Sequence, residues 1–127
     1  MQKNKETMTP KRIPIPSDLV LKVRLSDLYD AEGEAITIDD VSSIKLTFTA
    51  GGAAVDYEIN IANQSFPDGV SRANSDDEGP YLVVCLCTSP LMPGQLALRS
   101  EVDIPDARFH EGLRKEMDEF LFDIILT

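Results

Sequence analysis

Leu19, Leu21, Val23 and Leu25 alternate with Lys22 and Arg24 along the first apolar stretch of the chain. A two-residue period puts the two sets on opposite faces of an extended backbone and predicts a half-buried strand. Residues 44–49, Ile-Lys-Leu-Thr-Phe-Thr, alternate in the same way, as do residues 55–61, Val-Asp-Tyr-Glu-Ile-Asn-Ile. Gly51, Gly52, Ala53 and Ala54 separate these runs, so the pair reads as a hairpin with a turn longer than the two-residue ideal. Residues 81–87, Tyr-Leu-Val-Val-Cys-Leu-Cys, do not alternate. A run apolar on both faces predicts a central strand.

Further strands are expected at residues 96–102 and 120–126. The acidic stretch 26–40 reads as a loop with a short strand at 34–38, and 63–80 as a polar loop. Residues 106–119 are ambiguous. Phe109, Leu113 and Met117 would stripe a short helix capped by Asp106, but Gly112 opposes it. We read a turn at His110-Glu111-Gly112 followed by a strand over 113–117. Six or seven short strands with turn signals between them predict an all-β fold, an immunoglobulin-like antiparallel β-sandwich of about seven strands.

Residues 1–17 are polar and basic, then carry Pro10, Pro14 and Pro16. This spacing forbids a helix and favours an extended path. The expected organisation is an extended basic, proline-rich arm over 1–17 and one sandwich domain over 18–127. On this reading Lys11, Arg12, Ile13 and Ile15 are the partner-binding residues of an assembly arm.

The formal charge of −10 is uneven: residues 1–12 carry +3, leaving −13 for the rest. A body that acidic repels phosphate, which argues against nucleic-acid and anionic membrane partners. No apolar run approaches a membrane span. The N-terminal residues lack the apolar core of a secretory signal, so a cytoplasmic location is expected. Five Phe, three Tyr and no Trp leave the core to aliphatic side chains.

Cys85 and Cys87 lie two apart, poor geometry for a disulfide and without a second ligand pair for a metal. Free core thiols are expected. Asn74, Asp76 and Glu78 precede Gly79 at alternate positions, like the first half of an EF-hand loop. The twelfth position is Cys85, so the segment reads as a solvated turn with those three as weak calcium candidates. Asp106 can accept from backbone N–H groups of the next turn. His110 stands alone in a polar loop. No serine elbow, phosphate loop or catalytic constellation is present, so no enzyme activity and no cofactor are expected.

The order of turns and strands carries a resemblance. A strand over 19–25 is followed by Ile44-Lys-Leu-Thr-Phe-Thr-Ala-Gly-Gly, then by Leu91-Met-Pro-Gly-Gln-Leu-Ala-Leu. Val102-Asp-Ile-Pro-Asp-Ala-Arg-Phe-His-Glu-Gly-Leu-Arg and a final strand ending Ile124-Ile-Leu-Thr complete it. Over residues 17–127 this pattern resembles the N-terminal β-sandwich of phage baseplate upper proteins and small prophage tail-associated proteins. The resemblance implies a structural adaptor that self-associates or joins other tail proteins; residues 17–127 match no coiled coil or receptor-binding head, so receptor recognition is not expected of them. It also implies a cytoplasmic protein until assembly into a virion. The other class is a cytosolic immunoglobulin-like module that binds protein or carbohydrate.

Overall fold

The computed structural model describes residues 9–74 and 77–127. Within them lie eight strands: β1 (Lys11–Ile13), β2 (Asp18–Val23), β3 (Ser43–Ala50), β4 (Ala53–Asn60), β5 (Val70–Ala73), β6 (Tyr81–Cys87), β7 (Gly94–Pro105) and β8 (Leu113–Leu126). They form a five-stranded sheet, β1-β8-β7-β3-β4, and a three-stranded sheet, β2-β6-β5. The chain is thus an all-β, two-sheet fold. No helix among the described residues is long and apolar enough to cross a membrane.

The two-residue period decides which side chains enter the core. Ile44, Leu46 and Phe48 of β3 and Leu96, Leu98, Val102 and Ile104 of β7 are buried on one sheet. Leu21, Val23, Leu82, Val84 and Leu86 are buried on the other. Phe48 is the only aromatic among the largest fully buried side chains, so the core is mainly aliphatic, as the composition implied.

The β3–β4 turn is shorter than expected. Ala50 pairs with Ala53, leaving only Gly51 and Gly52 between the strands, with φ of 61° and 87°. A tight hairpin turn matching strand twist needs positive φ at both central positions, which a glycine pair supplies. The alanines therefore join the ladder. Gly51 is also packed against the segment before β7: a Cβ there would lie 2.4 Å from the Pro93 carbonyl oxygen.

β6 is central in its sheet, as expected, but only one of its faces is covered. Leu82, Val84 and Leu86 point inward, whereas Cys85 and Cys87 are free and exposed. The expectation of core thiols is corrected: among the described residues no third layer covers Cys85 and Cys87 on the outer face of the smaller sheet. Val20, opposite Cys85 on β2, is 74% exposed for the same reason.

The expected short strand at 34–38 is reduced to one bridge between Tyr29 and Ala35, followed by a single 3₁₀ turn, Ile38–Asp40. Thr37 and Asp40 cap that turn reciprocally. Asp39 pairs with Arg72 of β5, tying the turn to the smaller sheet. The segment from 106 to 119 adopts the expected turn and strand, and the strand runs on to Leu126.

Residues 11–15 lie on the chain's own sheet. β1 runs parallel to β8, with Lys11 opposite Ile124 and Ile13 opposite Leu126. Thr127 N–H donates to the Ile13 carbonyl at 2.9 Å and Ile15 N–H to the Thr127 carbonyl at 3.0 Å. Beyond them, the buried Thr88 hydroxyl accepts from Ser17 N–H at 2.7 Å and donates to the Ser17 carbonyl at 2.9 Å.

Gly51→Ala should destabilise the fold by roughly 2–4 kcal/mol, through positive φ and overpacking against Pro93 together. Urea denaturation should show a lower midpoint with an unchanged slope.

Candidate interaction site

β8 is a 14-residue strand flanked unequally. On one side it pairs with β7, from Leu113 opposite Pro105 to Leu121 opposite Ala97. The register then jumps, so that Ile125 faces Gln95. On the other side only Ile124, Ile125 and Leu126 have a strand neighbour, β1. Residues 113–123 therefore present an edge with no strand partner among the described residues.

The direction of the backbone groups follows from the antiparallel pattern. Asp106 N–H donates to the Gly112 carbonyl at 2.8 Å, and Pro105, which has no N–H, stands opposite Leu113. Bonded and non-bonded pairs alternate along such a ladder. Arg114, Glu116, Asp118 and Phe120 thus exchange bonds with β7. Leu113, Lys115, Met117, Glu119 and Leu121 turn their N–H and C=O groups to the open edge, where the Glu119 N–H donates to the Asp118 carboxylate at 2.9 Å.

Side chains on that edge are unusual for their surroundings. The outer face of the large sheet is polar: Thr47 donates to Asp56 at 2.8 Å, Ser43 to Asp103 at 2.9 Å and Lys115 to Asp103 at 3.1 Å. Leu113, Met117 and Leu121 share this face, with Met117 56% and Leu121 63% exposed. The described residues leave these apolar side chains largely uncovered.

On the inner side, a groove of about 560 Å³ separates the middle of β8 from β2 and the segment after it. Leu98, Val23 and Phe122 contribute apolar surface to it, and Glu116 and Asp118 line it from β8. Phe120, also in its wall, packs edge-on against Phe122 at 4.8 Å, and Phe122 stacks on the buried Phe48 at 6.3 Å. The exposed ring is thereby anchored to the core.

The start of β8 is fastened by Asp106, whose carboxylate is buried. It accepts from Arg108 Nε at 2.9 Å and Nη2 at 2.7 Å, from Arg108 N–H at 3.1 Å, and from Arg114 Nη1 at 2.5 Å. Arg114 also donates to Glu116 at 2.9 Å and to the Tyr29 carbonyl. These bonds join the β7–β8 turn, β8 and the loop after β2. Hydrogen bonding from Arg108, above all, holds the Asp106 carboxyl well below the usual aspartate range. The backbone role assigned to Asp106 from sequence is present; the two arginines were not foreseen.

The other sequence candidates are dispersed. Lys11 and Arg12 are exposed on β1, while Ile13 is buried and Ile15 packs against the chain's own core. As an intramolecular edge strand, this segment has its apolar side chains already occupied. Asn74 is exposed, and Glu78 pairs with Arg24 at 3.3 Å. Asp76 lies outside the described residues. Among the described residues no group of three or more His, Cys, Asp or Glu comes together to hold a metal. The His110 side chain is exposed, with Glu111 3.7 Å away.

No protein-family model matches the chain, and no curated protein matches it.

Asp106→Asn should lower stability at neutral pH. Because the folded carboxyl is held low, its stabilisation is complete above the unfolded aspartate pKa of about 3.9 and fades as pH falls below it. The difference in urea midpoint between the two proteins should stay constant from about pH 7 to about pH 5 and shrink below about pH 4.

Proposed function

We propose that this chain is a non-enzymatic assembly domain that joins protein partners through the open edge of β8. The observation that carries this reading is a strand edge without a strand partner among the described residues, bearing Leu113, Met117 and Leu121 on an otherwise polar face. An edge of this kind is a template for strand addition: backbone groups supply affinity, and alternate side chains supply selectivity. Soluble domains ordinarily blunt such edges with charge, proline or a cover; here Lys115 and Glu119 are charged, but Leu113, Met117 and Leu121 interleave with them.

The resemblance to the β-sandwich of phage baseplate upper proteins gives the assembly a setting, a tail or baseplate adaptor of phage or prophage origin. The segments that carry it fall on the β3–β4 hairpin, on the turn into β7, on the β7–β8 connection and on the end of β8. An adaptor of this kind needs contact surfaces and no reaction centre. Its site of action would be the cytoplasm until incorporation into a particle.

A second reading, a carbohydrate-binding module, draws support from Phe120, 57% exposed beside Glu116 and Asp118 in the groove. An aromatic face beside carboxylates can stack on and hydrogen-bond a sugar ring.

Immunogold labelling of tail particles purified from an induced producer culture should place the chain at the baseplate end. Labelling should be lost with Met117→Pro, which removes an outward N–H without breaking the β7 ladder. Particles without label, together with saccharide binding that Phe120→Ala abolishes in calorimetry, would favour the second reading.

A further inference from the structure

We infer that the partner at the β8 edge is a second copy of this chain, paired antiparallel about a two-fold axis at Met117. This rests on reading β8 as the contact edge and names what occupies it.

The argument comes from the five residues that turn their backbone groups outward. Read in order, Leu113, Lys115, Met117, Glu119 and Leu121 are apolar, cationic, apolar, anionic, apolar. That order is complementary to its own reverse. In an antiparallel pair centred on Met117, Leu113 of each copy faces Leu121 of the other, and Lys115 faces Glu119. Met117 faces Met117. Each is a bonded pair of the new ladder, because the same residues carry the outward N–H and C=O groups; this gives on the order of ten backbone hydrogen bonds, two of which form only when the Asp118 carboxylate of each copy releases the Glu119 N–H it holds at 2.9 Å.

Other registers are worse. Sliding the copies two residues one way sets Leu113 against Glu119, and two the other way sets Lys115 against Leu121. Sliding four residues sets Lys115 against Lys115 or Glu119 against Glu119. Directly opposed like charges destabilise a strand pair, and opposite charges and apolar pairs stabilise it. Register is therefore specified by side chains, as a two-fold interface requires of a self-complementary surface.

Two features oppose association. Each copy carries a formal charge of −10, so the approach of two copies is repulsive. Glu116 would also face Asp118 on the groove side, although Arg114, 2.9 Å from Glu116, offsets that repulsion in part. Both penalties are screened by salt. The mixed charges at 115 and 119 are what allow so acidic a body to meet itself at this edge.

Sedimentation velocity on the full chain at rising concentration should show a species of about twice the monomer mass. Lys115→Glu and Glu119→Lys should each weaken that species by roughly tenfold or more, since each places two like-charged pairs in the interface. An equimolar mixture of the two variants should dimerise again. In the mixed pair one copy contributes two acids and the other two lysines, so both cross-strand contacts are attractive.

Recovery on mixing cannot come from within one chain, because residues 115 and 119 are about 13 Å apart along a strand. Circular dichroism of each variant checks that the fold persists. A full chain that stays monomeric at every concentration, variants that dimerise like the native chain, or a mixture that fails to recover would each overturn the inference. If the chain is monomeric while Met117→Pro still removes it from tail particles, self-pairing fails and the edge reading stands. If neither assembly nor particle labelling responds to Met117→Pro, the edge reading falls as well.

Discussion

Five strands in one sheet face three in the other, and apolar surface can be buried only where both layers are present. This mismatch in width governs the surface of the molecule. β3 and β7 lie under the smaller sheet and send Phe48, Leu46, Leu96 and Ile104 into the core. β8 lies beyond the cover for most of its length. Its inward positions 116, 118 and 120 are accordingly Glu, Asp and an exposed Phe, whereas Leu126, at the covered end, is buried. The groove and the open edge are two aspects of the same overhang.

An overhanging strand needs lateral support, and electrostatics supply it. Asp106 gathers Arg108 and Arg114 at the β7–β8 connection, and Arg114 reaches the loop that leaves β2. A buried carboxylate with several charge-assisted partners fixes geometry closely, because few other arrangements satisfy it. At the far end β1 and Thr127 stitch the last residues of β8 in place. Between these two anchors β7 is the strand's one ladder partner among the described residues.

Much of this architecture was legible in the chain, since alternation in β2, β3 and β4 reports directly which faces are buried. Gly112 pointed correctly to a turn before β8. Its partner signal, Gly51-Gly52, was present too, but the adjacent alanines obscured the fact that the turn needs only the two glycines. The exposure of Cys85 and Cys87 was hidden because an apolar run cannot reveal whether a third layer exists. Likewise, Ile13 and Ile15 could be recognised as extended, but their neighbour, Ile124–Leu126, lies more than a hundred residues away in sequence. The edge of β8 was the least accessible. Residues 113–121 carry mixed charge and scattered apolar groups, and only the order of strands in the sheet distinguishes an edge strand from an interior one.

The end of β6 that the described residues leave open gives the molecule a chemical address. Cys85 and Cys87 project from the same side of β6, about 6–7 Å apart at strand spacing. Exposed thiols are open to alkylation and to oxidants, whereas thiols shielded by packing are inert. A maleimide dye or a bridging dithiol reagent could therefore be attached there without disturbing either layer of side chains. In oxidising buffer the same atoms would couple one molecule to the next, so handling under reductant keeps covalent aggregates from being mistaken for native assembly.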